Sequence, residues 1–359
     1  MVKHIIADYN IPDLITTLDE LVDKGECNKT VSHGLIQYTY SKDAQYKCNW
    51  TPELQIARGI IFDENQKLVA LPFAKFFNYG ENNTFFTDDE ILNATCYDKL
   101  DGSLIITYFH NGEWQCNTKG SFYSEQAIWA KEYINNYIDT AGWPTHVTFL
   151  FECIYESNKI VCNYDWEGLV ILGAYDNITY EEYPYLGLML GFNLSVIRTC
   201  KVFNFYNLNE IKRYCEDISY NTEGVVLRTV DGRRAKFKGR EYLLYHKTRS
   251  DFSPLSVWEA LSLNKGNELR YNLPEEMWDE FDSLSISLNK AYDNVYREAL
   301  DFYHNTKYLS DKELGLQLTL YKTNPIKNLV WLFRKNVDKI ENRIWKLVRP
   351  NYNVIEMVN

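Results

Sequence analysis

No Cys-x-x-Cys pair occurs in this chain of 359 residues, although it holds eight cysteines. Thiols scattered singly at positions 27, 48, 96, 116, 153, 162, 200 and 215 give neither a zinc framework nor a disulfide scaffold, and they fit a reducing compartment. Long apolar runs are missing too. The longest, Gly168–Tyr175 and Leu186–Phe192, fall far short of the roughly 20 residues that cross a bilayer. The opening residues, MVKHIIADYN, lack the apolar stretch of a signal peptide. The expectation is a cytoplasmic protein with no membrane partner. Basic charge is also in deficit, with 38 Lys and Arg against 49 Asp and Glu, a net charge of −11. Taken as one number, that argues against a nucleic-acid partner. The familiar nucleotide and metal signatures are absent as well: no Gly-x4-Gly-Lys-Ser/Thr loop, no Gly-x-Gly-x-x-Gly after a strand, no His-Glu-x-x-His and no calcium loop.

What is present is periodicity that changes once along the chain. Leu14, Ile15, Leu18, Leu21 and Val22 after Pro12 predict an amphipathic helix. From about residue 30 to 250 short strands and turns dominate. Leu104–Tyr108 and Trp114–Thr118 flank Asn111-Gly112, a strong hairpin signal. Ser124 can cap a helix that carries Ala127, Ala130, Ile134 and Ile138 on one side. Val147–Cys153 alternates as a strand, and Gly168–Tyr175 suits a strand buried on both faces. Glu223–Val230 and Arg233–Lys238 are joined by Asp231-Gly232 as a second hairpin. Beyond about Ser250, Trp258, Leu261, Met277, Phe281, Leu284, Leu288, Tyr292, Tyr296 and Leu300 recur at helical spacing. Phe333, Val337, Ile340, Ile344 and Val348 would mark one face of a terminal helix. Strands followed by helices imply an α+β domain over residues 1–250 and an all-α domain over residues 251–359.

The residues able to carry chemistry lie in short patterns, each modest by itself. Lys99-Leu100-Asp101-Gly102-Ser103 precedes the strand Leu104–Tyr108; alone it reads as a surface turn. A lysine nucleophile would nevertheless suit the position, since an amine attacks phosphorus once unprotonated and nearby cations or a metal favour that form. Glu152 sits on the strand Val147–Cys153 and alone would face solvent. Lys236 and Lys238 share one face of the second hairpin, with Phe237 turned away and Glu223-Gly224 on the neighbouring strand. Two parallel ammonium groups beside a carboxylate suit a polyphosphate and its metal, or else an edge strand kept soluble by lysine. Upstream, Arg58-Gly59-Ile60 opens a strand, Lys75-Phe76-Phe77-Asn78 sets a cation beside aromatics, and Lys119-Gly120-Ser121 ends the first hairpin.

In this order, Arg-Gly-Ile, Lys-Phe-Phe-Asn, Lys-x-Asp-Gly-Ser, Lys-Gly-Ser, Phe-Glu, Glu-Gly-Val and Lys-x-Lys form a pattern that resembles the covalent nucleotidyltransferases. More closely, the chain resembles the ATP-dependent RNA ligases typified by the tRNA-repair ligase of T-even bacteriophages. The motifs cover residues 55–250, and seven ordered elements are far more specific than any one. The resemblance implies an adenylation domain of antiparallel sheets with flanking helices, followed by a helical domain. It implies ATP as cofactor with Mg²⁺, or Mn²⁺ as the alternative ion, and RNA with 5′-phosphate and 3′-hydroxyl ends, such as cleaved tRNA, as substrate. Lys99 would take AMP from ATP as a phosphoramidate, pass it to the 5′-phosphate, and a 3′-hydroxyl would then seal the strand. Glu152 would contact the ribose or the metal, and Glu223 would hold the metal. Lys236 and Lys238 would bind the α-phosphate. Arg58, Lys75 and Lys119 would grip outer phosphates or the RNA end. Phe77 and Gly102 would support the nucleotide pocket, with Tyr242 as a further family tyrosine. Leu100 departs from the pattern, which has an acidic residue there; Asp101 is expected to cover part of that work.

Within the superfamily, a DNA ligase or an mRNA-capping guanylyltransferase would place an all-β fold after the last lysine motif. A helical tail counts against both. A non-catalytic RNA-binding module is a third alternative, disfavoured by the joint presence of Lys99, Glu152, Glu223, Lys236 and Lys238. The net charge also hides an uneven distribution. Residues 228–249 and residues 322–349 each hold eight basic and two acidic side chains, or +6 apiece, leaving −23 on the remainder. In the tail, Lys335, Lys339, Arg343 and Lys346 predict a basic stripe opposite the apolar face, either solvated or placed on an RNA backbone.

Overall fold

The computed structural model describes residues 2–47, 49–183, 197–273, 277–320, 326–335 and 340–350. The chain divides into two units, Met1–Leu244 and Tyr245–Asn359. The first is an α+β unit built on three sheets; the strand Val147–Ile154, expected to alternate, is buried along nearly its whole length.

The first sheet is antiparallel, in the order β1 (Cys27–Ser32), β2 (Leu35–Tyr40), β3 (Arg58–Asp63) and β4 (Leu68–Ala70). The amphipathic helix predicted near the start runs Ile11–Asp23, and the Asn10 side chain accepts from the Asp13 amide at its N-terminus. Its Leu14 and Leu18 share a core with Tyr38, Ile60 and Phe62 of this sheet.

The second sheet contains β7 (Ser103–His110), β8 (Glu113–Asn117), β9 (Val147–Ile154), β10 (Gly168–Asp176) and β11 (Arg198–Thr199), in the order β11-β10-β9-β7-β8. Asn111 and Gly112 both take positive φ at the β7–β8 turn, as a two-residue hairpin of matching twist requires. Ser124 caps the helix Glu125–Tyr137 by accepting from the Ala127 amide, and Ala130 and Ile134 pack on the sheet. Strand β10 is almost wholly buried, as its unbroken apolar run predicts.

The third sheet is where the motifs converge. Its strands β5 (Phe77–Asn78), β6 (Thr95–Asp98), β12 (Val202–Phe203), β13 (Gly224–Arg228) and β14 (Arg234–Lys238) lie in the order β12-β6-β13-β14-β5. The helix Leu208–Asp217 covers it with Ile211 and Cys215. Pairing of Gly224 with Lys238 and of Val226 with Lys236 fixes the register of the second predicted hairpin.

The second unit is helical throughout its described residues. Pro254–Ser262, Gly266–Asn272, Trp278–Thr306 and Asp311–Leu320 precede two shorter helices, Lys327–Arg334 and Ile340–Leu347. Ala299, Ile326, Leu329 and Ile344 form its core, and the Trp258 indole donates to the Trp345 carbonyl at 2.7 Å. One expectation is corrected here. Spacing alone predicts the terminal apolar and basic stripes on a single helix, whereas one helix ends at Arg334 and the next begins at Ile340. Lys335 follows the first helix, Arg343 and Lys346 lie on the second, and Lys339 and Val337 lie outside the described residues. The run Leu186–Phe192 also lies outside them. Among the described residues, seven cysteines are buried free thiols and no helix is long and apolar enough to cross a membrane.

Candidate active site

Lys99 leaves the end of β6, and its backbone amide donates to the Gly224 carbonyl at 2.9 Å. That bond ties the Lys-Leu-Asp-Gly-Ser segment to the start of β13. Glu223, immediately before β13, is only 4% exposed, and both its oxygens take ammonium partners. Lys99 Nζ lies 2.5 Å from Oε2, and Lys238 Nζ lies 2.9 Å from Oε1. The Gly224–Lys238 register explains the second contact, since it sets Lys238 across the hairpin from Glu223.

Glu152 comes from the other side, on β9, where Leu104 is its cross-strand neighbour. Its Oε1 accepts from the Gly102 amide at 3.0 Å. Gly102 is required by close approach: a Cβ there would sit 2.4 Å from the Cys153 carbonyl oxygen. Burial pushes the Glu152 carboxyl up to about 7; Lys99 opposes the rise, and Glu223 and Asp101 add to it.

Lys236, on the same face of β14 as Lys238, stands 4.7 Å over the Phe76 ring. Arg58 approaches the same ring at 5.7 Å. Burial lowers Lys236 to about 6, and the positive charges of Arg58, Lys99, Lys75 and Lys238 push it the same way. Lys99, Leu100, Gly102, Glu152, Lys236, Arg58 and Phe76 line one cavity of about 270 Å³. Arg228 and Arg234 close another part of it, both held by Glu182.

Three predicted site residues sit differently. The Asp101 carboxylate is buried and hydrogen-bonded within the fold. Oδ2 accepts from the Val161 and Cys162 amides at 2.7 and 2.9 Å, and Oδ1 accepts from the Tyr242 hydroxyl at 2.7 Å. Both oxygens of Asp101, the residue expected to cover part of the work of the missing acid at Leu100, thus have donors within the fold. Tyr242, 2% exposed, reaches the site through Asp101. Phe77 is buried against Trp50, and it is Phe76 that lines the cavity. Lys75 and Lys119 gather on aromatic rings: Lys75 Nζ lies 4.2 Å from the Trp50 centroid, and Lys119 Nζ lies 4.6 Å from that of Tyr40. Gly59, at φ 95°, lets β3 run against Lys119, since a Cβ would meet the Lys119 Cα at 2.9 Å. Sequence reasoning missed Tyr40, Trp50 and Glu182. An aromatic beside a cation in space leaves no trace in the spacing along the chain.

The chain is similar to known proteins. The family model for RNA ligase, of the T4 type, matches residues 56–251. The chain belongs to the RNA ligase family. A protein of the Autographa californica nuclear polyhedrosis virus described as a bifunctional polynucleotide kinase/RNA ligase is 26% identical over 354 residues, covering 86% of this chain and 47% of that protein. A Thermovibrio ammonificans protein described as an RNA ligase is 27% identical over 232 residues, covering 60% of this chain and 58% of that one. The chain thus spans about half the length of these curated relatives. An archaeal ATP-dependent RNA ligase structure is similar with a TM-score of 0.46 and 13% identity, covering 75% of this chain and 74% of the other.

Proposed function

We propose that this chain is an ATP-dependent RNA ligase that joins a 5′-phosphate to a 3′-hydroxyl through an AMP-lysine at Lys99. The observation that carries the reading is the Lys99–Glu223–Lys238 arrangement, in which Lys99 also lines a cavity with Lys236, Arg58 and Glu152. Cations gathered around a prospective nucleophile are what transfer of a charged phosphoryl group needs, because the catalysis is positioning and neutralisation. Lys99 Nζ attacks the α-phosphorus of ATP, the bond to the bridging oxygen breaks, and pyrophosphate leaves. The AMP then passes to an RNA 5′-phosphate. Attack by the 3′-hydroxyl expels it again as AMP.

Glu223 suits a divalent cation, since its two oxygens already accept positive partners. Among the described residues no cluster of three or more acidic, His or Cys groups forms a complete metal cage. One or two carboxylates plus substrate phosphates is the donor set Mg²⁺ favours, with Glu223 as the protein's carboxylate and Glu152 placed for the ribose or for water on the ion. Bound there, the ion would neutralise charge on the phosphates. Lys236 and Lys238 bind the α-phosphate, and Lys75 and Lys119 the outer phosphates. The helical unit, with +6 over residues 322–349, recognises a structured RNA such as cleaved tRNA in repair.

Incubation with α-labelled ATP and Mg²⁺, followed by denaturing electrophoresis, tests the reading. Label stays on the protein, is removed by pyrophosphate, and is absent from Lys99→Ala. Folded wild type that takes up no label, and carries no AMP by mass, overturns it. Labelling by GTP instead would point to a capping enzyme, and sealing of DNA in preference to RNA would point to a DNA ligase. Changing Lys335, Arg343 and Lys346 together to Glu weakens tRNA joining and leaves labelling unchanged. Equal joining at every salt concentration removes the helical unit's role.

A further inference from the structure

Three cations, Arg58, Lys75 and Lys119, crowd the end of the first sheet, where no carboxylate is ion-paired with any of them among the described residues. Burial lowers Lys75, Tyr40 opposes that, and Arg58 and Lys119 press it further down. Something must hold these side chains beside one another, and the neighbours that do so are aromatic. Lys75 Nζ lies 4.2 Å from the Trp50 ring centroid, 5.3 Å from Tyr40 and 5.2 Å from Phe77. The rings brace one another edge to face: Tyr40 to Trp50 at 4.9 Å and 85°, and Trp50 to Phe77 at 5.8 Å and 63°. Lys119 shares the Tyr40 wall, 4.6 Å from its centroid and 3.4 Å from its hydroxyl.

The backbone makes the cage stiff. The Lys75 amide donates to the Gln55 carbonyl at 2.8 Å, fixing the segment before β5 beside the helix Pro52–Ile56 that follows Trp50. Tyr40 ends β2 and its amide donates to the Ala57 carbonyl at 2.7 Å. A cation over an aromatic face keeps its outward N–H groups for another partner, whereas an ion pair would spend them on a carboxylate. Aromatic walls therefore hold ammonium groups in place without spending their attraction for phosphate.

We propose that Trp50 is a positioning residue of this enzyme: with Tyr40 and Phe77 it pins Lys75, and through Tyr40 it keeps Lys75 beside Lys119, as a paired grip for the outer phosphates of a nucleoside triphosphate. The proposal rests on the ligase reading above and adds a division of labour. A grip on outer phosphates acts while ATP is the substrate. It has nothing to hold once pyrophosphate has left, so sealing of an already adenylylated RNA end proceeds without it.

The test compares Trp50→Leu, which keeps apolar bulk and removes the ring, with Trp50→Phe, which restores a smaller ring. Adenylylation of Lys99 and sealing of pre-adenylylated RNA are measured separately. Trp50→Leu raises the KM for ATP in adenylylation about tenfold, in line with loss of a partly desolvated cation–aromatic contact, with sealing unchanged. Trp50→Phe recovers most of the loss. Lys75→Met has a similar effect, and adding Trp50→Leu to it costs no more, since the ring then has no cation to hold. Thermal melting and circular dichroism report folding of each variant. A folded Trp50→Leu with the wild-type KM, or one that loses sealing as much as adenylylation, overturns the proposal while leaving the ligase reading intact. If Trp50→Leu does not fold, Lys75→Met decides: a folded Lys75→Met with the wild-type KM for ATP, or one that loses sealing as much as adenylylation, overturns it. A wild type that forms no lysyl-AMP overturns both readings together.

Discussion

The two walls of the cleft treat charge in opposite ways. On the wall of β13 and β14, ammonium groups converge on one carboxylate: Lys99 and Lys238 share Glu223, and Lys236 stands among further cations. On the wall of β7 and β9, carboxylates are held by neutral donors. Asp101 accepts from two peptide amides and a tyrosine, and Glu152 accepts from the Gly102 amide. The same burial thus drives one wall's lysine down to about 6 and the other wall's glutamate up to about 7. Ion pairs are exchangeable, because a phosphate or a metal can take either partner's place. Peptide donors are not. The cationic wall is built to change partners and the other to stay.

Glu223→Gln is the sharpest way to break that comparison. Gln cannot neutralise Lys99 and Lys238, so two ammonium groups lose their common partner in a recessed site. The expected cost is about 3 kcal/mol of stability, as for one partner removed from a buried pair, and lysyl-AMP formation falls more than roughly a hundredfold. Denaturant melts and the labelling assay read the two effects. If Glu223→Gln is as stable as wild type, the pair is not what organises this wall.

Part of the contrast between the walls is legible in the amino-acid sequence. Lys236 and Lys238 follow from strand alternation, and their hairpin from Asp231-Gly232, because register and turn chemistry are local. Helix starts at Pro12 and Ser124 are legible for the same reason. Glu152 and Glu223 look alike in the chain, each one acidic residue in an apolar strand region. What separates them is who stands opposite after folding, and no period encodes that. Asp101 reads as a candidate for metal chemistry because its donors come from residues 161, 162 and 242, far along the chain. The terminal stripe fails for a different cause: its spacing runs past Arg334, where the helix that carries Phe333 ends.

Stability against pH tests the Glu152 side of the comparison. Its folded value, about 7, lies above its ordinary value of 4.5. Below pH 4.5 the group is protonated in both states and costs nothing. Between pH 4.5 and 7 the unfolded chain ionises first, so folding loses stability as pH rises, and the loss levels off above 7. Glu152→Gln does not titrate. It should therefore match wild type near pH 4 and exceed it by about 2 kcal/mol at pH 8. A stability difference independent of pH would show that the carboxyl is not held protonated by its wall.

Lys236 gives the mirror prediction, with a smaller signal. Unliganded, its amine is mostly neutral above pH 6, where burial and neighbouring cations hold it. An arriving phosphate restores the ammonium, so binding of pyrophosphate at pH 7.5 takes up protons, up to about one per site. Calorimetry in two buffers of different ionisation enthalpy measures this directly. Lys236→Met abolishes the uptake. Uptake that survives the substitution assigns the proton to another group.

Tyr242→Phe makes the smallest change and isolates the fixed wall. It removes one hydroxyl that donates to Asp101 Oδ1 at 2.7 Å and leaves the two amide donors on Oδ2. Loss of one hydrogen bond to a carboxylate costs about 1.5 kcal/mol. Because Asp101 remains anchored by peptide groups, the segment carrying Lys99 should keep its course, and adenylylation should fall only a few fold. Asp101→Asn differs in kind: whichever way its amide turns, an N–H₂ group replaces one oxygen and faces donors. It should therefore lose more stability than Tyr242→Phe, by about 1–3 kcal/mol. If the two variants were equal in melting temperature and in labelling, the peptide amides would not be what holds this wall, and its difference from the exchangeable wall of β13 and β14 would collapse.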